Sequence, residues 1–158
     1  MNIYDFLDQH EIPYERHDHP PVYTVAEAED LNLEIGGEHT KNLFLRNKKG
    51  KRHLLLVAHA ETVINLKELG KRLGISGLSL ASPERLMTHL GIEPGAVSPL
   101  ALLNDRVHAV EVIIEQAVWE AESIRCHPLV NTATLVISMA GLAQFFAATG
   151  HDVEVVGL

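Results

Sequence analysis

The sequence predicts an α/β protein of the α+β kind, a mixed sheet with helices packed around it, and three observations carry that prediction. Helix-capping patterns and short apolar runs are interleaved along the chain rather than segregated. Several links between them are of hairpin length, which argues against a regular wheel of βαβ units. The 158 residues, 46% of them apolar, make about one globular domain with enough apolar surface for a sizeable core. No repeat, low-complexity tract or linker interrupts the chain, so residues 1–158 are expected to form a single domain.

Each element has a local reason. Asn2 followed by Ile3, Phe6 and Leu7 at helical spacing predicts a capped first helix that ends before Pro13. Thr24-Val25-Ala26-Glu27 has the capping-box pattern and predicts a second helix to about Leu31, with Gly36-Gly37 breaking the chain beyond it. Runs 41–46 and 52–58 are rich in large apolar residues, and the polar turn 47–51 between them predicts a hairpin. Asn65 opens a helix to about Leu73; Ser82-Pro83-Glu84 opens another that Gly91 stops. Strands are expected at 107–114, 123–127 and 134–138, followed by a helix over 139–149 that Gly150 ends and a final strand at 153–156.

Composition excludes several classes of function. No run approaches the roughly 20 apolar residues of a membrane helix, and no basic segment precedes an apolar one at the N-terminus, so a protein of the reducing cytoplasm is expected. A single cysteine, Cys126, cannot build an internal disulfide framework or a zinc ribbon. The net charge of −8 opposes nucleic-acid binding at first sight. Its distribution does not: residues 41–72 carry nine Lys and Arg against two acids, a balance of +7, while 1–40 carry −9 and 73–158 carry −6. Such a bipolar chain could offer RNA one cationic face, or its lysines could simply solvate a turn and a helix.

Candidate chemistry is sparse. His17-Asp18-His19 would set two imidazoles on one strand face, but nothing nearby supplies the further ligands a metal needs, and no metal or other cofactor is expected. Cys126 and His127, as strand neighbours, point to opposite faces and cannot form a dyad. Lys41 opens an otherwise apolar strand, where an ammonium group calls for a partner such as a phosphate or a developing oxyanion; an edge lysine guarding against aggregation fits equally. Segment 91–100 has two glycines and two prolines, which suits either a stiff loop presenting its amides to a ligand or an ordinary tight connection.

Three blocks taken together resemble the YbaK/prolyl-tRNA-synthetase-associated editing domains. They are Thr40-Lys41-Asn42-Leu43-Phe44-Leu45-Arg46, the loop Pro94-Gly95-Ala96-Val97-Ser98-Pro99-Leu100 after Gly91, and His127-Pro128-Leu129-Val130-Asn131-Thr132-Ala133-Thr134. Their order and separation match as well, and the similarity runs from about Asn2 to the C-terminus. Leu100 is a departure, since relatives often carry Phe there. The resemblance implies a mixed, largely antiparallel and partly barrel-like central sheet with flanking helices. Its wording is most similar to the free-standing deacylases that clear Ala-tRNA(Pro).

That resemblance implies hydrolysis of the ester between an amino acid and the terminal adenosine of mischarged tRNA(Pro). The acceptor end of that tRNA is the implied partner and a prolyl-tRNA synthetase the implied source of substrate; neither DNA nor a membrane is implied. By carry-over from the motifs, Lys41 contacts the terminal adenosine's phosphate or ribose, Asn42 orients the ester, His127 lines the amino-acid pocket, and Gly95 with the amides near it faces the scissile carbonyl. Thr40, Ala96, Ser98 and Asn131 are the implied substrate-binding residues. Two other readings are a Cys-tRNA(Pro) or Ser-tRNA deacylase of the same fold, and a non-catalytic module that binds tRNA or the synthetase.

Overall fold

A computed structural model describes residues 2–21 and 35–158. The helix expected near 24–31 lies outside the described residues. In chain order the elements are α1 (Ile3–Gln9), β1 (Glu15–Asp18), β2 (Thr40–Arg46), β3 (His53–His59), α2 (Leu66–Leu73), β4 (Ser79–Leu80), α3 (Pro83–Leu90), two 3-10 turns (Pro94–Ala96 and Pro99–Asn104), β5 (Val110–Glu115), α4 (Gln116–Trp119), β6 (Ser123–Cys126), β7 (Ala133–Ser138), α5 (Met139–Thr149) and β8 (Val153–Val156).

Local capping sets most helix ends. Asn2, Asn65, Ser82 and Ser138 each accept a hydrogen bond from the amide three residues on, satisfying a donor that the first helical turn leaves unpaired. Gly74, Gly91 and Gly150 close α2, α3 and α5 in the left-handed conformation.

The strands form two sheets. β1-β7-β6 is wholly antiparallel, while β4-β2-β3-β5-β8 is mixed, with the β3–β5 and β5–β8 ladders parallel. The β2–β3 hairpin is in the expected place, with Thr40 opposite His59 and Arg46 opposite His53. Two parallel ladders need two long crossovers. The first, from β3 to β5, carries α2, α3 and the glycine-proline loop; the second, from β5 to β8, carries α4, β6, β7 and α5. Those crossovers carry the loops of the candidate site. β5 begins at Val110, three residues later than expected, because Asp105 caps the Ala109 and Val110 amides (3.0 and 2.9 Å) and holds the preceding turn. The single-turn α4 and the four-residue β1 have no signal of their own in the sequence.

Residue alternation gives the larger sheet two apolar faces. Phe44, Leu55, Val57, Val112 and Ile114 pack with Ile124, Cys126, Leu135 and Ile137 of the small sheet and with α1, α3 and α5. Leu45, Leu54, Leu56 and Ile113 pack under α2 with Leu69, Ile75 and Leu78.

Two buried histidines tie loops to this frame. His151 bonds Asp105 at 2.9 Å, joining the end of α5 to the turn before β5. His53 is 4% exposed, stacks on Phe44 and receives a hydrogen bond from the Arg85 guanidinium at its Nε2 (3.0 Å). A guanidinium only donates, so this bond requires the neutral ring. Burial, then the neighbouring His89, Arg85 and Arg46, lowers the His53 pKa to about 4. The unfolded chain therefore binds this proton between pH 6.5 and about 4 while the fold does not, and stability falls as pH drops through that window. Urea midpoints at pH 7, 5 and 4 should decline in that order, and His53→Gln, which still offers Arg85 an oxygen, should flatten the decline.

Candidate active site at the junction of the two sheets

The chain enters β2 by crossing the small sheet. Glu38 forms a parallel bridge with Ile124: its amide donates to Ser123 O (2.9 Å) and its carbonyl accepts from the Arg125 amide (3.2 Å). Gly37 lies in the left-handed region (φ 81°) and so close to the sheet that a Cβ there would sit 3.2 Å from Val136 Cγ1. Arg125 fastens the same segment, donating to Gly36 O (2.9 Å) and Ile35 O (2.7 Å). This crossing sets the start of β2 beside β6, and hence beside the loop that follows β6.

Thr40 and Asn42 then point to the face shared with Phe44, toward the small sheet, and Lys41 points to the other face with Leu43 and Leu45. Thr40 Oγ1 and Asn42 Oδ1 are buried and have no hydrogen-bond partner among the described residues. A buried polar oxygen left unpaired costs about 1–3 kcal/mol, and such groups concentrate where a substrate completes the bonding. The Lys41 ammonium instead donates to the carbonyl of Thr62. Thr62 in turn gives its hydroxyl to buried Glu115 (2.9 and 3.1 Å), which also accepts from the His59 amide (2.9 Å).

The β6–β7 loop supplies His127 and Asn131. His127 Nδ1 lies 3.2 Å from Ala133 O. A carbonyl can only accept, so Nδ1 carries the hydrogen and the neutral ring leaves its Nε2 lone pair for a ligand. Burial lowers the His127 pKa; the Ala133 bond opposes this and His19 adds to it. His39, one residue before β2, is lowered in the same direction by desolvation and then by Arg125, His59 and His127, which places it in the electrostatic field of the site. His19 joins from the end of β1, its Nε2 2.8 Å from Thr134 Oγ1. Leu129 holds a left-handed backbone (φ 69°), a strained conformation anchored by its packing on the core. Because both pKa values lie below the ordinary 6.5, activity should hold as the pH is lowered to that point and fall only below it. A pH profile of kcat/KM checks this, and His127→Asn should remove the acid limb if His127 is its source.

The glycine-proline loop faces the same place. Gly95 is exposed, and among the described residues a Cβ built there would meet a single group, Asn131 Nδ2 at 3.4 Å, an ordinary contact. The Ala96 amide is occupied by Glu93 O (2.9 Å), whereas no hydrogen bond among the described residues engages the Gly95 amide. Ser98 is fully buried and its hydroxyl accepts from the Leu100 amide, capping the second 3-10 turn. The structure thus brings Gly95 against Asn131 and sets His127 in the field of His39, the residue before Thr40, with Ala96 and Ser98 buried and Lys41 on the opposite face of β2 from Thr40 and Asn42. Cys126 is buried in the core and its thiol is pushed up to about 12 by that burial, which leaves no thiolate for attack.

Sequence reasoning missed His39 and Arg125, and weighed His19 only as one of two imidazoles for a metal. No local pattern marks their place here; only the crossing of the two sheets and the β1–β7 pairing make them neighbours. Among the described residues no three metal-binding side chains converge, and no helix is long and apolar enough to cross a membrane.

Residues 19–145 match the aminoacyl-tRNA editing domain. The chain belongs to that family. The prolyl-tRNA editing protein ProX of Acetoanaerobium sticklandii is 38% identical over 152 residues, 96% of this chain and 93% of the relative. Prolyl-tRNA synthetase associated domain-containing protein 1 of Danio rerio is 37% identical over 136 residues, 85% and 73% of the two chains. A solved structure described as a candidate trans-editing enzyme for prolyl tRNA synthetase superposes with a TM-score of 0.67, covering 92% of this chain and 87% of that one. At 18% identity that last likeness is one of fold. The editing-domain match spans all three blocks that make up the site.

Proposed function

We propose that residues 1–158 act as one editing domain, a deacylase that works in trans on mischarged tRNA(Pro) and whose preferred substrate is Ala-tRNA(Pro). The observation that carries this reading is the near-full-length similarity to ProX, a protein named for prolyl-tRNA editing. The chemistry supplies a reason for alanine. A synthetase pocket shaped for proline rejects a smaller side chain by only about 1–3 kcal/mol, so fidelity needs a second and smaller sieve.

In the proposed reaction water attacks the ester carbonyl, since the Cys126 thiol is buried and unreactive and Thr40 Oγ1 has no base bonded to it among the described residues. The Gly95 amide faces the developing oxyanion, with Asn131 beside it. His127 lines the amino-acid pocket and offers Nε2 to the attacking water or to the substrate's amino group. Asn42 and Thr40 hold the ester and ribose with the oxygens that have no partner among the described residues. Ala96 and Ser98 keep the loop in shape from below. Lys41, anchored on Thr62, is the cation at the end of the sheet and neutralises a phosphate of the terminal adenosine.

Hydrolysis of tRNA(Pro) charged with alanine, cysteine or serine tests the reading. Ala-tRNA(Pro) should be cleared with a kcat/KM about 10-fold or more above the others, the range one methylene-sized difference provides. Preference for cysteine or serine would reassign the substrate, and no hydrolysis of any would overturn the enzyme. Gly95→Ala is the matching variant: among the described residues the methyl meets only Asn131, so the protein should melt as wild type yet lose most of its activity by filling the space where the carbonyl must sit.

A further inference from the structure

We propose that the groove between α2 and the segment 74–78 after it, which packs on Lys48 of the β2–β3 turn, grips the phosphate backbone of the tRNA acceptor stem, with Lys48, Lys67 and Lys71 as the residues that meet it. This rests on the editing reading of the site and adds the surface that holds the rest of the substrate.

The groove is lined by Leu66, Lys67, Gly70, Lys71 and the segment from Gly74 to Leu78. On a helix, positions 67, 70 and 71 share one edge, so Lys67, Gly70 and Lys71 of α2 line the groove together with the capping Gly74. Lys48 arrives from the other side. Its amide donates to Ser76 O (2.9 Å), and a Cβ on Gly77 would come within 2.7 Å of its own Cβ. Gly70 is packed as closely, since a Cβ there would lie 2.7 Å from Ile75 O. Gly70 and Gly77 let the chain pack closely on itself, Gly74 leaves open space beside the groove, and Lys67 and Lys71 line it with Lys48 next to Gly77.

These charges are not used inside the fold. Lys48, Lys67 and Lys71 are exposed, as are Lys49, Lys51 and Arg72 nearby, and among the described residues none of the six pairs with an acid. Yet the chain holds 21 Asp and Glu against 13 Lys and Arg. In so acidic a protein, a cluster of cations that forms no ion pair among the described residues is suited to anions brought from outside, and the surrounding acids limit the contact to this strip.

The strip also lies at the distance a tRNA end requires. β2 runs from Asn42 at the candidate site to Arg46 at the turn, about 13 Å at roughly 3.3 Å per residue. That is on the order of four nucleotides at about 3.4 Å each. A tRNA ends in four unpaired nucleotides, so with its terminal adenosine at Asn42 the groove meets the first base pairs of the acceptor duplex. Lys41 and α2 occupy the same face of the sheet, the one opposite Thr40 and Asn42, so the cations form a row along β2 behind the site.

The test compares wild type with the triple variant Lys48→Ala, Lys67→Ala, Lys71→Ala on two substrates, Ala-tRNA(Pro) and an alanylated CCA trinucleotide, between 50 and 300 mM salt. The variant should fall about 10- to 100-fold in kcat/KM on the whole tRNA at low salt and show a salt slope shallower by roughly 2–3, since each phosphate that goes unneutralised takes about 0.9 from the slope. Its rate on the trinucleotide should equal that of wild type. Equal rates and slopes on whole tRNA, or the same fall on the trinucleotide, would overturn the proposal. So would a deficit that emerges only when prolyl-tRNA synthetase is present, which would make the lysines a protein-binding patch. If neither protein hydrolyses either substrate, the editing reading fails on its own. Anisotropy with uncharged tRNA(Pro) then decides: a shallower salt slope in the variant supports the groove, and an unchanged slope overturns it.

Discussion

Asn42→Ala should lower kcat for Ala-tRNA(Pro) hydrolysis by about 100-fold or more while leaving the melting temperature unchanged or slightly raised. The size follows from removing a positioned polar group at a reacting carbonyl, which typically costs about 10²–10³ in rate. The sign on stability follows from the structure. Asn42 Oδ1 is buried without a partner among the described residues, so truncation breaks no bond there and removes a group whose burial is unfavourable. Loss of activity without loss of stability separates a substrate-holding residue from a structural one. Single-turnover hydrolysis and thermal unfolding of the same preparation provide both readings; wild-type turnover would remove Asn42 from the site. Lys41→Ala makes a useful contrast, because it deletes a hydrogen bond to Thr62 and loosens the link to Glu115, so its effects on rate and stability should move together.

Phe145→Ala should destabilise the protein by about 3–5 kcal/mol, the range for removing a large aromatic from a closed core. Phe145 is fully buried, meets Phe6 edge-on at 5.5 Å between centroids and lies edge-to-face with Phe146 at 6.0 Å. It clamps α5 to α1, and α5 in turn covers the second 3-10 turn beneath the glycine-proline loop. For a chain of this size each kcal/mol moves Tm by roughly 2–4 °C, so a fall on the order of 6–20 °C is expected. Urea unfolding measures it. A change below about 1 kcal/mol would mean that the core around α5 recloses on the cavity. At temperatures where the variant stays folded, activity per molecule should remain close to wild type, since Phe145 lies in the core away from the candidate site residues.

Much of this architecture is written locally. The caps Asn2, Asn65 and Ser82 and the glycines at 91 and 150 are legible because a helix end is decided by groups three or four residues away. The 47–51 turn is legible for a similar reason: Asn47 Oδ1 accepts from the amides of Lys51 and Arg52 (2.9 and 3.0 Å), closing the hairpin on itself. The three motif blocks identify the family for a different reason, since they are the chain's functional vocabulary and each is continuous in sequence.

What only the tertiary structure decided is who meets whom. The strand spanning Thr40 to Arg46 could be placed from its apolar run, but alternation alone cannot say which face meets the small sheet; the Glu38–Ile124 crossing settles it and sends Lys41 away from Asn42. The parallel β3–β5–β8 order was equally out of reach, because parallel partners are joined through long crossovers and share no local signal. His39, Arg125 and His19 enter the site through pairings between segments far apart in the chain, Glu38 with Ile124 and β1 with β7. Caps, turns and motif blocks were thus determined by the sequence itself, because short-range hydrogen bonding and residue type suffice for them. The site as a set of neighbours was determined by sheet register, which depends on the packing of the whole core.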